Sequence, residues 1–124
     1  MLRILLVADK IDAFEELAQA LNNEGQTEIL WAHDSQTALD KATVDAPGLA
    51  IVDEYIGEVE GLDWIQHLIS VNAFIQTAVV SRLPHEVFHD ISEGLGIMAQ
   101  LPPRPGESDA RRVLEVMGKM PGFE

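Results

Sequence analysis

Five short apolar runs recur along this chain, and they limit its fold more than any other feature. The runs are Ile4–Val7, Glu28–Ala32, Leu49–Val52, Thr77–Ser81 and Ile97–Leu101. Three of them are nearly continuous in apolar residues, which suits strands buried on both faces. Between the runs lie amphipathic stretches with helical spacing. Ile11, Phe14, Leu17, Ala18 and Leu21 mark a first helix, with Gly25 as its stop. Asp34 or Ser35 caps a second, which turns Ala38, Leu39 and Ala42 inward and ends at Pro47-Gly48. Leu62, Ile65, Leu68 and Ile69 mark a third. Pro84 opens a fourth, with Val87, Phe88, Ile91 and Leu95 facing the core. Ala110, Val113, Leu114 and Met117 mark a fifth, capped by Ser108.

Strict alternation of strand and helix implies a parallel sheet with right-handed crossovers. The expected architecture is therefore α/β: a doubly wound, five-stranded (βα)5 sheet with helices on both faces. Residues 1–124 are enough for one such domain. In sheets of this type, sites lie outside the carboxyl ends of the strands. Attention thus falls on Ala8-Asp9-Lys10, His33-Asp34, Asp53-Glu54-Tyr55, Ser81-Arg82 and Pro102-Pro103.

Charge and cysteine content narrow the function. The net charge is −13, from 21 acidic and 8 basic residues. Such a balance opposes nucleic acid and anionic membranes as partners and favours basic ones. The absence of cysteine removes disulfides, thiolate metal sites and cysteine nucleophiles. The apolar start, Met1 to Val7, breaks at Ala8-Asp9-Lys10 and is too short for a signal peptide or a membrane span. A cytoplasmic setting is the expectation.

Asp9 follows the first strand and Asp53 ends the third, so this topology brings both carboxylates to one edge. Two neighbouring carboxylates repel unless something neutralises them. A hard divalent cation such as Mg²⁺, with oxygen ligands, is one solution. Ser81, after the fourth strand, adds a hydroxyl.

The stretch Leu49-Ala50-Ile51-Val52-Asp53-Glu54-Tyr55-Ile56-Gly57-Glu58-Val59-Glu60-Gly61-Leu62 resembles the phosphoacceptor segment of CheY-like receiver domains from two-component response regulators. The resemblance covers essentially the whole chain and implies a flavodoxin-like sheet with strand order 2-1-3-4-5. It implies that Asp53 is the phosphoacceptor and that Ser81 contacts the phosphoryl group. Asp9, Asp53 and the backbone carbonyl of Tyr55 are the implied Mg²⁺ ligands. The implied partners are a histidine kinase or phosphotransfer protein and a downstream protein, with homodimerisation an open choice. The implied function is phosphorelay signalling, either by phosphorylation or as a phosphorylation-independent pseudo-receiver, not enzymatic turnover. The chain ends soon after the fifth helix, so output is expected through a surface, a partner or a domain beyond this sequence.

The departures from the family pattern are specific. Receiver domains carry two adjacent acids after the first strand; here the first is Ala8. They carry Lys-Pro after the fifth strand; here the pair is Pro102-Pro103, and proline offers no donor. By spacing, neither Arg82 nor Arg104 takes the lysine's place. The usual aromatic switch residue is absent from Ile97, Met98 and Ala99, and Gly57 stands where a proline is usual. A contact of the lost ionic kind is worth about 2–4 kcal/mol to the transferring group, so a weakened Mg²⁺ site and slower transfer are expected.

A second motif points elsewhere. His85-Glu86-Val87-Phe88-His89 matches the zinc metalloprotease pattern of two histidines one turn apart with a glutamate between them. The alternative is thus a small zinc hydrolase, with Glu107 as a distant third ligand. Against it, Pro84 puts His85 in the first helical turn, where a zincin helix would hold both histidines in its interior. A flavin-binding flavodoxin-like protein is a third class.

Overall fold

The computed structural model describes residues 2–24 and 27–119. In chain order the elements begin with β1 (Leu2–Val7), a 3₁₀ turn (Ile11–Phe14) running into α1 (Glu15–Glu24), β2 (Thr27–Ala32) and α2 (Ser35–Asp45). The central part holds β3 (Leu49–Val52), the short strands β4 (Tyr55–Ile56) and β5 (Val59–Glu60), and α3 (Gly61–Val71). Then come β6 (Gln76–Val80), α4 (His85–Ser92), β7 (Ala99–Leu101) and α5 (Glu107–Gly118). The main sheet is parallel throughout, in the order β2-β1-β3-β6-β7. With β6 and β7 counted as its fourth and fifth strands, this is the expected order 2-1-3-4-5.

Strand alternation splits the core in two. Ile4 and Leu6 point to one side with Leu49 and Ile51, where Phe14, Leu17 and Leu21 from the first helical segment meet Val113 and Met117 of α5. Leu5 and Val7 point to the other side with Ala50 and Val52, against Ala38, Trp64, Ile65 and Phe88. Each fully buried leucine or isoleucine contributes about 1.5–3 kcal/mol relative to exposure. The Trp64 indole N–H reaches the Ser35 carbonyl at 3.0 Å and ties α3 to α2.

Local chemistry sets the helix ends. Asp34 caps α2: its Oδ1 accepts from the Thr37 amide at 2.7 Å. The helix stops at Asp45, and Ala46 turns left-handed at φ 44° ahead of Pro47. The Gly25 stop lies outside the described residues. The Ser108 cap is corrected: α5 begins two residues earlier, behind Gly106, and Asp109 folds back to accept from the Gly106 amide at 3.0 Å. A carboxylate three residues into the helix serves the orphan amide better than a hydroxyl already inside it. The inward face of α4 is also narrower than expected. Only Phe88 is buried, while Val87 and Ile91 are 45% and 52% exposed. A two-turn helix meets the sheet through one side chain, and its remaining apolar residues fall to either side of that contact.

The segment after β3 forms a small hairpin, β4–β5, which returns the chain to α3. Gly57 opens its two-residue turn at φ 62°, a conformation closed to proline. Gly61 then begins α3, and its amide donates to the Glu54 carbonyl at 2.8 Å. A Cβ on Gly61 would overlap the carbonyl oxygen of Asp53 and crowd Val79 and Val52. We expect Gly61→Ala to destabilise the domain by about 1–3 kcal/mol and to shift the Asp53 amide resonance. Urea denaturation and a ¹H–¹⁵N spectrum check this, and wild-type stability would show that the loop yields freely.

Candidate functional site

Asp53 is the first residue beyond β3. Its amide donates to the Val7 carbonyl at 2.9 Å, which extends the β1–β3 ladder into the loop. Its Oδ1 accepts from the Glu54 amide at 2.8 Å, so the carboxylate is held against its own turn. The side chain is half-buried. Burial is the main force pushing its carboxyl above the ordinary value; the Glu54 and Asp9 charges push the same way, while the Glu54 amide and Arg82 oppose them.

A cleft of about 310 Å³ opens at this edge. Its wall contains Asp9, Asp53 and Tyr55, so the three expected metal-site residues come together. Ser81 does not line it. Ser81 is buried, accepts from the Leu83 amide at 3.2 Å through its Oγ, and borders the adjoining groove with Glu54, Tyr55, Leu83 and Ile91. Ala8 is fully buried in the core beside α1 and α5, and Pro102 is exposed at the end of β7.

The cleft also holds Lys10, together with Arg82 and Arg104, the two residues that spacing set aside as substitutes for the lysine. Arg104 sits at φ 50° and pairs with Asp12 at 3.6 Å. Arg82 is anchored by Glu54: one carboxylate oxygen accepts from the Arg82 amide at 3.0 Å, and the other lies 3.8 Å from the guanidinium. Loops that are far apart in sequence converge here because parallel strands all end on one edge. Distance from the strand end along the chain could not reveal this.

The donor set suits Mg²⁺ better than a transition metal. Two carboxylates and a backbone carbonyl are hard oxygen donors, and Mg²⁺ binds through one or two carboxylates while keeping several waters. No group of three or more histidines or carboxylates placed to hold a metal occurs among the described residues. The His85-Glu86-Val87-Phe88-His89 motif gains nothing from the fold. His85 is the first residue of α4, its ring stacks on that of His89 at 6.4 Å, and its Nδ1 lies 3.3 Å from the Gln100 side-chain oxygen. Glu107 lies beside Glu16 and Gln19 in a different hollow.

No protein-family model matches the sequence, and no curated protein matches it. Solved structures do match the fold. A two-component response regulator from Clostridium difficile superposes with a TM-score of 0.83 at 15% identity, over 98% of this chain and 100% of its own. The chemotaxis response regulator CheY4 of Vibrio cholerae gives 0.81 at 19% identity, over 94% and 98%. The receiver domain of NtrX from Brucella abortus gives 0.78 at 21% identity, over 91% and 95%. The structural neighbours are thus CheY-like receiver domains and response regulators, and this chain has their fold. Among the described residues no helix is long and apolar enough to cross a membrane.

The raised Asp53 carboxyl has a consequence for stability. The folded chain holds this proton more tightly than the unfolded chain. The stability it brings is therefore present below the unfolded value and lost as pH rises through the folded one. Asp53→Asn, which removes the half-buried charge, should raise Tm at pH 7 and leave it nearly unchanged at pH 3. Thermal melts of both proteins at both pH values test this; equal shifts at the two would trace the effect to packing.

Proposed function

We propose that the chain is a receiver-type signalling domain. It takes a phosphoryl group onto Asp53 from a histidine kinase or phosphotransfer protein and acts through contact with a protein partner. One observation supports this above the rest: on a CheY-like sheet, a half-buried aspartate ends the central strand in a cleft shared with Asp9 and cationic side chains.

In the transfer, an Asp53 carboxylate oxygen forms a new P–O bond while the P–N bond of a phosphohistidine breaks. The imidazole nitrogen leaves with the bonding electron pair. The protein does little covalent chemistry in such a step; it positions the groups and neutralises charge. The Val7 carbonyl and the Glu54 amide fix where Asp53 stands. Mg²⁺, held by Asp9, Asp53 and the Tyr55 carbonyl, would neutralise phosphoryl oxygens when bound. Ser81, at the neighbouring strand end, is the hydroxyl donor of this reading, and reaching the phosphoryl group requires it to turn from the Leu83 amide. The reading places the domain in the cytoplasm. The excess of acid over base argues against nucleic acid as a direct partner.

A second reading, the pseudo-receiver that binds partners without phosphorylation, draws on a specific pair of observations. Ala8 is sealed in the core, and Pro102 has no donor to offer. One experiment separates the two. Beryllofluoride with Mg²⁺, a mimic of the phosphoryl group, should shift amide resonances around Asp53 in wild type and not in Asp53→Ala. Absence of any shift in wild type would sink phosphorylation at Asp53 and leave the pseudo-receiver.

A further inference from the structure

A phosphoryl group would bring the site to roughly −1.5 to −2 charges, in a cleft whose wall already carries Asp9, Asp12 and Glu54. Where the resemblance places a lysine, Pro102 has no donor. A side-chain cation to join Mg²⁺ at the phosphoryl oxygens has to come from elsewhere in the cleft.

Three cations line the cleft. Arg104 is paired with Asp12 at 3.6 Å, on the loop beyond β7. Lys10 follows Asp9 on the loop beyond β1. Arg82 differs from both. It leaves the end of β6, the strand hydrogen-bonded to β3, so it stands beside the Asp53 turn. Its backbone is fixed, because Glu54 accepts from its amide at 3.0 Å. Its side chain is 75% exposed, and its guanidinium lies 3.8 Å from the other Glu54 oxygen, too long for a charge-assisted hydrogen bond. The side chain is therefore tethered at its root and loosely held at its tip.

On the reading that Asp53 accepts a phosphoryl group, we propose that Arg82 is the phosphoryl-contacting cation of this domain. Its guanidinium swings from Glu54 to the phosphoryl oxygens when the group arrives. A single carboxylate at an exposed position holds an arginine weakly. A phosphoryl group offers more charge and several oxygens, and the planar fork of the guanidinium matches them. The Glu54 bond to the Arg82 amide keeps the backbone in place during the swing, so the side chain moves without unfolding the turn.

The same residue offers a route outward. The turn that carries Arg82 leads into α4: Gln100 on β7 donates its side-chain N–H groups to the carbonyls of Ser81 and Leu83, at 3.3 and 2.9 Å. A guanidinium drawn inward pulls on a turn braced at both of its neighbours.

The test measures acetyl phosphate labelling rates and beryllofluoride affinity, with Mg²⁺ present, for wild type, Asp53→Ala, Arg82→Ala and Arg82→Lys. Wild type should label and Asp53→Ala should not. Arg82→Ala should slow labelling and weaken beryllofluoride by about tenfold or more. Arg82→Lys, which keeps the charge and loses the fork, should recover part of both, a rescue that a purely structural role at an exposed position would not produce. If wild type does not label, the phosphoacceptor reading falls and the Arg82 role falls with it. If wild type labels and Arg82→Ala labels as fast, the Arg82 role is overturned and the phosphoacceptor reading stands.

Discussion

Ile4 to Val7 and Leu49 to Val52 have no exposed surface at all. Helices cover both faces of these two central strands, so an ionised side chain within either would lose its water without gaining a partner. That desolvation costs several kcal/mol for each ion. Charge is therefore kept out of these two stretches, and Asp9 and Asp53 stand just beyond their ends. The ladder sets how closely they gather: the Val7–Asp53 backbone bond carries the β1–β3 pairing one residue into the loop. Gly61 then lets α3 start hard against the Asp53 carbonyl. The cleft is what remains at the edge of a sheet whose buried centre holds no charge.

The overall acidity matters less to the site than its immediate neighbours. Surface charges beyond about 8 Å are largely screened at physiological salt, so most of the −13 does not reach Asp53. What reaches it is its own half-burial, the adjacent Glu54, the more distant Asp9 and the opposing Arg82. The far charges act on encounter, where they favour basic surfaces and repel anionic ones. Those two ranges of electrostatics separate the chemistry of the site from the choice of partner.

Much of this was legible in the sequence, for physical reasons. Continuous apolar runs signal strands sealed on both faces, and β3 is bounded as its composition implies. β7 is not: it starts two residues later than its apolar run, after the left-handed Gly94 and Gly96. The place of Asp53 was legible because an acid that follows a buried apolar run stands where the strand stops. The α4 face was not, because Val87, Phe88 and Ile91 share one residue class and periodicity cannot say which of them reaches the sheet. The α5 cap was missed because Ser108 satisfies a local rule that Asp109 satisfies better from inside the helix. Arg82 and Arg104 were discounted because spacing measures distance along the chain, whereas the cleft gathers residues from several loops.

On the proposed receiver reading, Ala8 stands where an acid is expected and Pro102 where a lysine is, and the two differences cancel in charge. The cleft wall keeps four carboxylates, Asp9, Asp12, Asp53 and Glu54, facing three cations, Lys10, Arg82 and Arg104. Losing only the acid would have left a surplus base; losing only the lysine would have left a less compensated cluster and a still higher carboxyl at Asp53. On that reading, losing both leaves the sum of charges unchanged and shifts the cationic support toward Arg82 at the end of β6, while Arg104 beyond β7 pairs with Asp12. Buried methyl packing at Ala8 is compatible with that shift, since an alanine there joins the core and asks for no counter-ion. On that reading the differences relocate the cationic support, and Asp53 shares its cleft with Arg82 where the lysine is lacking.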